Sequence, residues 1–412
     1  MIDVGALLER VEAEAPIDAV EAVAASLAGM VAAKAVSFLI ADFSGRAVVR
    51  LTSDGAVAGA RSRGIEQAET LPLRGTVYER VMRTQHADIT PVDDGARLVV
   101  PVTDRGDAIG VIELVLPSYP SPGQVADIRS AAHALAYVVI AARRHTDIFK
   151  WGQRSTPFAL AAEIQRRLLP ASYTCEAGQF TLAGWLEPAS SVGGDTFDYT
   201  LDRDALQVSI SDAVGHQVKA ALLATLLVGS LRNGRRKGLD LAGQARNAND
   251  ALAENTAPGQ FVTGQLMRLD LDTGVAAIIN AGHPPPLRLR DGRVEEIHLG
   301  VEPPFGVIQG KDFQVQPFPL EPGDRIIFLT DGMQERNAAS LDVATALVAT
   351  AALHPREVVH AMGDAVLHAT GGDLRDDATM VCLDWYGGPH RRRTTEQGAD
   401  VRRASPASWP GD

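Results

Sequence analysis

The spacing of hydrophobic residues changes several times in the first third of the chain, and each change predicts a new element. Residues 6–33 have apolar positions at helical spacing, whereas residues 36–41 form a short apolar run typical of a buried strand. Further strands are predicted at 47–51, 98–102 and 108–116, a short helix start at 73–81, and a long helix at 124–149. This alternation predicts one α/β domain over residues 1–148.

A helical segment separates this domain from a second alternation of strands and helices. Residues 149–170 have a mostly helical pattern that stops at Pro170, so we expect a helical connector. Its apolar face either packs on a core or pairs with a second chain. Residues 171–386 are expected to form the second domain. Residues 387–412 are rich in Gly, Pro, Ser and Arg without hydrophobic period, which predicts a disordered tail.

Length, composition and charge exclude several classes of protein. A chain of 412 residues allows two or three domains at about 150 residues each. Two cysteines, Cys175 and Cys382, are too few for a disulfide framework and fit a reducing compartment. Uninterrupted apolar stretches fall short of the ~18 residues of a membrane span, so we expect a cytoplasmic protein outside the membrane. The net charge of -12 argues against nonspecific nucleic-acid binding.

Four acidic turns in the second domain each lie beside a predicted strand. They contain Asp195 in VGGD, Asp212 in SDAVGH, Asp331 in TDG and Asp376 in DDAT. Any one of them is a weak signal, because Asp and Gly occur in turns of every kind. Convergent carboxylates with few histidines favour hard cations such as Mg²⁺ or Mn²⁺ over zinc. Together the turns therefore predict a metal site at the edge of a sheet.

Six segments stand in the order AAEIQRRLLP, GWLEPASSVGGDTFDY, ISDAVGHQVKAALLATLL, QFVTGQLMRLDLDTGVAAIINAGHPPPLRLRDG, LEPGDRIIFLTDGMQERN and DDATMV. In this order they resemble the bacterial SpoIIE/RsbU-like branch of the PPM-type, metal-dependent serine/threonine phosphatases. The resemblance implies a β-sandwich flanked by helices, with two or more Mn²⁺ or Mg²⁺ ions at one end. Such ions share a hydroxide nucleophile and neutralise the phosphoryl oxygens.

The resemblance also implies a role for each acidic turn. Asp195, Asp212 and the carbonyl of Ala213 would hold the first metals, and Asp331 and Asp376 would hold the second side of the site. These four aspartates would form the catalytic set. Where relatives usually read DVSGHG, this chain reads DAVGHQ from Asp212 onward, which changes the turn and removes no carboxylate.

Three further residues near these motifs have weaker assignments. His216 either helps to protonate the leaving oxygen or only begins the next helix. His283, in NAGHP, is interpreted as a residue that stabilises its own turn by hydrogen bonds. Asp198 is interpreted as a carboxylate that orients metal-bound water.

The segments LPLRGTVYERVMRTQHADI and RLVVPVTDRGDAIGVIELVL resemble a GAF domain, a module for ligand sensing or dimerisation. The resemblance leaves two readings open: a domain that binds a small ligand, or a dimerisation domain with a filled core. We expect a homodimer. No cysteine precedes Cys175, which excludes a bilin attached to cysteine within this domain.

The combined expectation is a mixed α+β and α/β protein with a GAF-like α/β domain, a helical connector and a PPM-type sandwich. Its implied function is sensor-regulated dephosphorylation of a protein serine or threonine, on an anti-sigma-factor antagonist in a partner-switching pathway. The alternatives are a signal-responsive scaffold with little turnover and a small-molecule phosphomonoesterase. The complete set of acids disfavours the scaffold. The lack of a Lys/Arg cluster beside the acidic turns disfavours the phosphomonoesterase.

Overall fold

The structure is a computed structural model that describes residues 2–51, 69–153, 159–189, 193–334, 341–372, 374–389 and 392–407. The chain divides into two compact units. The first unit comprises residues 1–157 and 394–412, and the second comprises residues 158–393. The predicted connector crosses this boundary, and its residues 154–158 lie outside the described part of the chain.

The first unit is built on a six-stranded sheet with strand order β3-β2-β1-β6-β5-β4, in which neighbouring strands are antiparallel. Its elements are α1 (Val4–Ala13), α2 (Ala19–Val31), β1 (Ala35–Ala41), β2 (Ala47–Arg50), β3 (Thr70–Pro72), α3 (Val77–Thr84), β4 (Asp88–Val92), β5 (Gly95–Asp104), β6 (Asp107–Leu116), α4 (Pro122–Ala142) and α5 (Ile148–Gly152). The predicted helix at 6–33 is divided in two around Pro16, which cannot continue a helix. The predicted helix at 124–149 is also divided, between α4 and α5.

Both faces of this sheet are covered. Phe38 and Ile40 of β1 pack with α1, α2 and α4 on one face, while Leu39 packs with α3 on the other, as the alternation of side chains along a strand requires. Helix α4 buries Ile128 and Leu135 in the first of these clusters. Among the described residues it is also the one helix long and apolar enough to cross a membrane. The GAF-like assignment of this unit stays a prediction.

The segment that follows the second unit returns to the first one. The N–H of Gly106 donates to the carbonyl of Gly398 over 2.9 Å, and Arg129 pairs with Glu396 at 3.5 Å. Asp400 is buried and accepts hydrogen bonds from Arg402. Residues 394–407 are therefore packed on the first unit, where a disordered tail was expected. Backbone groups and ion pairs hold this segment, so its packing is not marked by a hydrophobic period in the sequence.

The second unit is a sandwich of two antiparallel sheets, with strand orders β15-β12-β11-β10-β9 and β14-β13-β16-β17-β8-β7. Its elements are α6 (Leu160–Leu168), β7 (Thr174–Glu176), β8 (Phe180–Glu187), β9 (Thr196–Leu201), β10 (Ala205–Ala213), α7 (Gln217–Arg236), α8 (Leu241–Asn255), β11 (Val262–Asp270), β12 (Val275–Ala281), β13 (Leu287–Arg290), β14 (Arg293–Glu296), β15 (Gln316–Pro319), β16 (Arg325–Leu329), α9 (Val343–Ala349), α10 (Pro355–Ala369) and β17 (Ala378–Trp385).

The core of the second unit lies between its two sheets. Phe197 and Ile210 from the five-stranded sheet pack with Phe328 and Val381 from the six-stranded sheet. Helices α7 and α8 cover the outer face of the five-stranded sheet, and α10 packs against β8 and β17 of the other. This arrangement agrees with the helix-flanked β-sandwich that the sequence resemblance implied.

The contact made by Gly398 allows a test of the C-terminal segment. Gly398 has a left-handed φ of 98°, and a Cβ there would lie 2.0 Å from the carbonyl oxygen of Thr103. We expect Gly398→Ala to lower the melting temperature of the first unit by about 3 °C or more in calorimetry of the full-length protein. Gly29→Ala is the control, because a Cβ at this position in α2 meets nothing within 4 Å. Equal melting of both variants would contradict the packing described.

Candidate metal centre

The four aspartates predicted from sequence are carried by both sheets of the second unit. Asp195 precedes β9 and Asp212 lies near the end of β10, while Asp331 follows β16 and Asp376 precedes β17. Their charges act on one another: Asp331 and Asp376 both affect the carboxyl of Asp212, and Asp212 affects Asp195. The structure therefore brings all four turns together at one end of the sandwich.

Glycines allow the turns to approach this closely. A Cβ on Gly194 would lie 2.5 Å from the carbonyl oxygen of Ala213, at the end of β10. A Cβ on Gly332 would lie 1.9 Å from the carbonyl oxygen of Asp377. Real Cβ atoms do not make such contacts, so the GGD and TDG turns need glycine at these positions.

Asp195 is the most deeply buried of the four, with 1% of its surface exposed. Its Oδ2 accepts hydrogen bonds from the hydroxyls of Thr330, at 2.7 Å, and Thr379, at 2.6 Å. Both threonines belong to the six-stranded sheet side of the sandwich, at the end of β16 and in β17. These bonds tie the loop before β9 to the opposite sheet.

Asp377, the second acid of DDAT, has a framework role that sequence reasoning missed. Its Oδ1 accepts the N–H of Ala189 at 2.8 Å, and its Oδ2 accepts the N–H of Gly194 at 3.1 Å. Oδ2 also accepts Nε2 of Gln165 at 2.6 Å, and the same amide donates to the carbonyl of Asp195 at 2.8 Å. Asp377 therefore fixes the backbone around Asp195, whereas the neighbouring Asp376 is half-exposed at the site.

Gln165 connects helix α6 with this framework. It is completely buried, although it is a polar residue, and it lies on the face of α6 that also buries Ala161 and Ala162. The sequence analysis did not single it out. The signal available was one amide inside the apolar face of AAEIQRRLLP.

Burial and mutual repulsion perturb the acids of the cluster. Burial raises the pKa of Asp195 well above its usual range, and the charges of Asp212 and Asp377 raise it further. Burial, followed by the charges of Asp331 and Asp376, raises the pKa of Asp212 to about 7. Burial also raises the pKa of Asp377 to about 6. Carboxylates that repel one another in this way form a favourable environment for cations.

The donor set fits hydrated divalent ions better than an ion enclosed by protein alone. Among the described residues, no three Asp, Glu, His or Cys side chains converge to hold one ion. Mg²⁺ usually keeps several waters and takes only one or two carboxylates from the protein. Asp195, Asp212, Asp331, Asp376 and the carbonyl of Ala213 can supply such partial ligand sets. Their role as metal ligands stays a prediction.

Asp198 differs from its interpretation as an acid that orients metal-bound water. Its Oδ1 accepts from Arg232 at 3.0 Å, and its Oδ2 is paired with both Arg232 and Arg235. The same Arg232 donates to the carbonyl of Leu168 at 2.6 Å. Asp198 thus helps to attach the end of α6 to helix α7.

The two histidines of the motifs differ in their surroundings. His283 donates its N–H to Oδ1 of Asn280 at 2.8 Å, and its Nδ1 lies 2.9 Å from the hydroxyl of Thr263. Burial lowers the pKa of His283 to about 4, which keeps the ring neutral near pH 7. This agrees with a turn-stabilising role. His216 is exposed at the start of α7.

Comparison with known proteins is consistent with this reading of the second unit. Residues 202–386 match the family Stage II sporulation protein E (SpoIIE). The chain is similar to phosphoserine phosphatase RsbU of Bacillus subtilis (strain 168), with 22% identity over 236 residues, 54% of this chain and 68% of RsbU. It is similar to phosphoserine phosphatase RsbP of the same organism, with 22% identity over 185 residues, 44% of this chain and 45% of RsbP.

Among solved structures, the chain is similar to the RsbU and RsbW domains of a Mycobacterium tuberculosis protein. The TM-score is 0.45 and the identity 24%, over 52% of this chain and 63% of the other. The chain thus spans less than half of RsbP and about two thirds of RsbU. Over residues 202–386 the second unit is therefore similar to the SpoIIE/RsbU-like phosphatases. The matched residues include three of the four aspartates, and Asp195 precedes them.

The raised pKa of Asp212 predicts how stability and metal binding change with pH. An acid whose folded pKa is about 7, against about 3.9 when unfolded, favours folding below about pH 4 and loses that contribution as pH rises to about 7. Mn²⁺ also binds the deprotonated acids. We therefore expect Mn²⁺ to raise the melting temperature of the second unit more at about pH 8 than at about pH 5.5.

Calorimetry with Mn²⁺ and with EDTA at the two pH values measures this difference. The first unit serves as the internal control, because the acid cluster belongs to the second unit. An equal Mn²⁺ effect at both pH values would contradict the electrostatic description of the cluster.

Proposed function

We propose that this chain removes phosphate from a serine or threonine of a small regulatory protein of the anti-sigma-factor antagonist type. The convergence of Asp195, Asp212, Asp331 and Asp376 at one end of a SpoIIE-family domain is the observation that carries the proposal. The phosphoserine phosphatase relatives support the reaction class. The antagonist substrate rests on the resemblance of the motifs.

The surroundings of the four acids suit a phosphate carried on a protein. Asp195 is buried, Asp212 and Asp376 are half-exposed, and Asp331 is exposed, so the site opens towards Asp331. Bound Mn²⁺ or Mg²⁺ would supply an activated water and neutralise the phosphoryl oxygens. The chain holds the acids for that chemistry: Thr330 and Thr379 fix the side chain of Asp195, while Asp377 fixes its backbone.

Two alternatives receive less support. A small-molecule phosphomonoesterase encloses its ligand in a concave pocket, whereas this site has an exposed acid at its edge. The repulsion within a cluster of carboxylates opposes folding. A scaffold without turnover does not need such a cluster. The scaffold predicts a folded protein without catalysis. The phosphomonoesterase predicts activity on free phosphomonoesters but not on a phosphoprotein.

The first unit is proposed to act as a GAF-like sensor or dimerisation module that controls the second. Helix α6 is the element of the second unit nearest in sequence to the first unit. Gln165 of α6 bonds to the framework of Asp195, and the carbonyl of Leu168 is held by Arg232. A shift of α6 would therefore alter the metal centre. The small ligand, the homodimer and the cytoplasmic location belong to the same proposal and rest on sequence.

The carboxylates can be tested without changing their size. Asp195→Asn and Asp331→Asn are each expected to lower the release of phosphate from a phosphoserine protein at saturating Mn²⁺ by at least about 100-fold. Asp291→Asn is the control, since Asp291 is an exposed residue of the β13–β14 turn. Near-normal turnover in either active-site variant would remove that residue from the metal assignment, and EDTA should abolish activity in the unsubstituted protein.

The control of the site by α6 predicts a separate phenotype. Leu168 is partly buried against the core formed with α7, so Leu168→Asp loses burial and displaces the helix. We expect turnover of the full-length protein to change by about 10-fold or more. Leu160→Asp is the matched control on the same helix, because Leu160 is 66% exposed. If both variants behave alike, α6 does not control the site.

A further inference from the structure

One oxygen of Asp195 is occupied on the side of the six-stranded sheet. Oδ2 receives both the Thr330 and the Thr379 hydroxyl, and neither threonine has any exposed surface. A carboxylate oxygen has about two lone-pair sites for hydrogen bonds. Oδ2 is therefore fully used by protein donors, and Oδ1 is the oxygen that remains for an ion.

The direction of the Thr330 hydroxyl is fixed by its own surroundings. Its oxygen accepts the N–H of Thr379 at 3.0 Å, and the N–H of Thr330 donates to the carbonyl of Thr379 at 3.1 Å. Because the hydroxyl oxygen already accepts a backbone donor, its proton is directed to Asp195. The Thr379 hydroxyl has Asp195 as its hydrogen-bond acceptor at 2.6 Å.

We propose that Thr330 and Thr379 are positioning residues of the metal centre, which hold Oδ2 of Asp195 so that Oδ1 alone is presented to the metal. This inference rests on the proposed metal-dependent phosphatase function. Without the hydroxyls the carboxylate can rotate and exchange its two oxygens, and the ligand is no longer held in one direction. Partners that orient a metal ligand in this way commonly contribute about 10- to 100-fold to metal affinity.

The two bonds also make the metal centre depend on the alignment of the sheets. Asp195 enters the five-stranded sheet through β9, whereas Thr330 and Thr379 belong to the β16–β17 pair. A displacement of one sheet against the other would break these bonds. Through the two threonines, the orientation of the Asp195 carboxylate depends on how the two sheets pack together.

The test replaces each hydroxyl by a methyl group of similar size. Thr379→Val and Thr330→Val are prepared in the full-length protein, with Thr379→Ser and Thr330→Ser as variants that keep the hydroxyl. Thr181→Val is the matched control: Thr181 in β8 is equally buried, and its hydroxyl has no hydrogen-bond partner among the described residues. Thr379→Val is the cleaner variant, because the Thr330 hydroxyl also accepts the N–H of Thr379.

Mn²⁺ affinity is measured by isothermal titration calorimetry, and kcat and KM are measured with a phosphoserine protein. We expect both Val variants to bind Mn²⁺ about 10- to 100-fold more weakly. Their kcat should fall by a larger factor than their KM changes. The Ser variants should stay close to the unsubstituted protein, as should Thr181→Val. Circular dichroism of each variant with EDTA checks that the sandwich is folded.

The outcomes separate this inference from the proposed function. Val variants that bind Mn²⁺ as tightly as Thr181→Val would overturn the positioning role, and so would Ser variants as impaired as the Val variants. If the unsubstituted protein binds Mn²⁺ but releases no phosphate, and the Val variants still lose affinity, the positioning role stands and the phosphatase proposal fails. No Mn²⁺ binding by the unsubstituted protein would overturn both.

Discussion

The second unit holds several carboxylates close together at one end of its sandwich, where they repel one another. Asp195 and Asp377 are buried and Asp212 is half-buried, and this loss of solvent raises the pKa of all three carboxyls. Neutral donors around them reduce that cost: two threonine hydroxyls, one glutamine amide and several backbone N–H groups. None of these donors cancels the charge. The remaining negative potential is what a pair of divalent cations would neutralise, so the feature that opposes folding is also the one that suits metal-dependent phosphoryl transfer.

The elements and acidic turns could be predicted because their signals are local. A buried strand such as β16 is an apolar run, and an Asp-Gly turn is visible in three or four residues. The partners of those acids could not be predicted in this way. Thr330 is 135 residues from Asp195, and Gln165 is 212 residues from Asp377. Contacts between residues so far apart in sequence leave no periodic pattern. Which of the two acids in DDAT faces the site depends on which one accepts the N–H groups of another loop.

The C-terminal segment likewise could not be predicted from local sequence patterns. Residues 394–407 are polar and lack a hydrophobic period, yet they pack on the first unit through backbone groups and ion pairs. The second unit therefore lies, in sequence, inside the first. It is connected to the first unit at both of its ends, through the residues before α6 and through those after Arg393. Two covalent connections therefore join the units, and the one before α6 leads to the framework of Asp195.

The most direct test of this account is the anomalous diffraction of crystals of the full-length protein grown with Mn²⁺. We expect two or more manganese peaks among Asp195, Asp212, Asp331 and Asp376, at metal–oxygen distances of about 2 Å. We further expect Asp195 to bind through Oδ1, with Oδ2 still on Thr330 and Thr379. Manganese bound to Asp377, or the absence of manganese from this end of the sandwich at saturating concentration, would contradict this account.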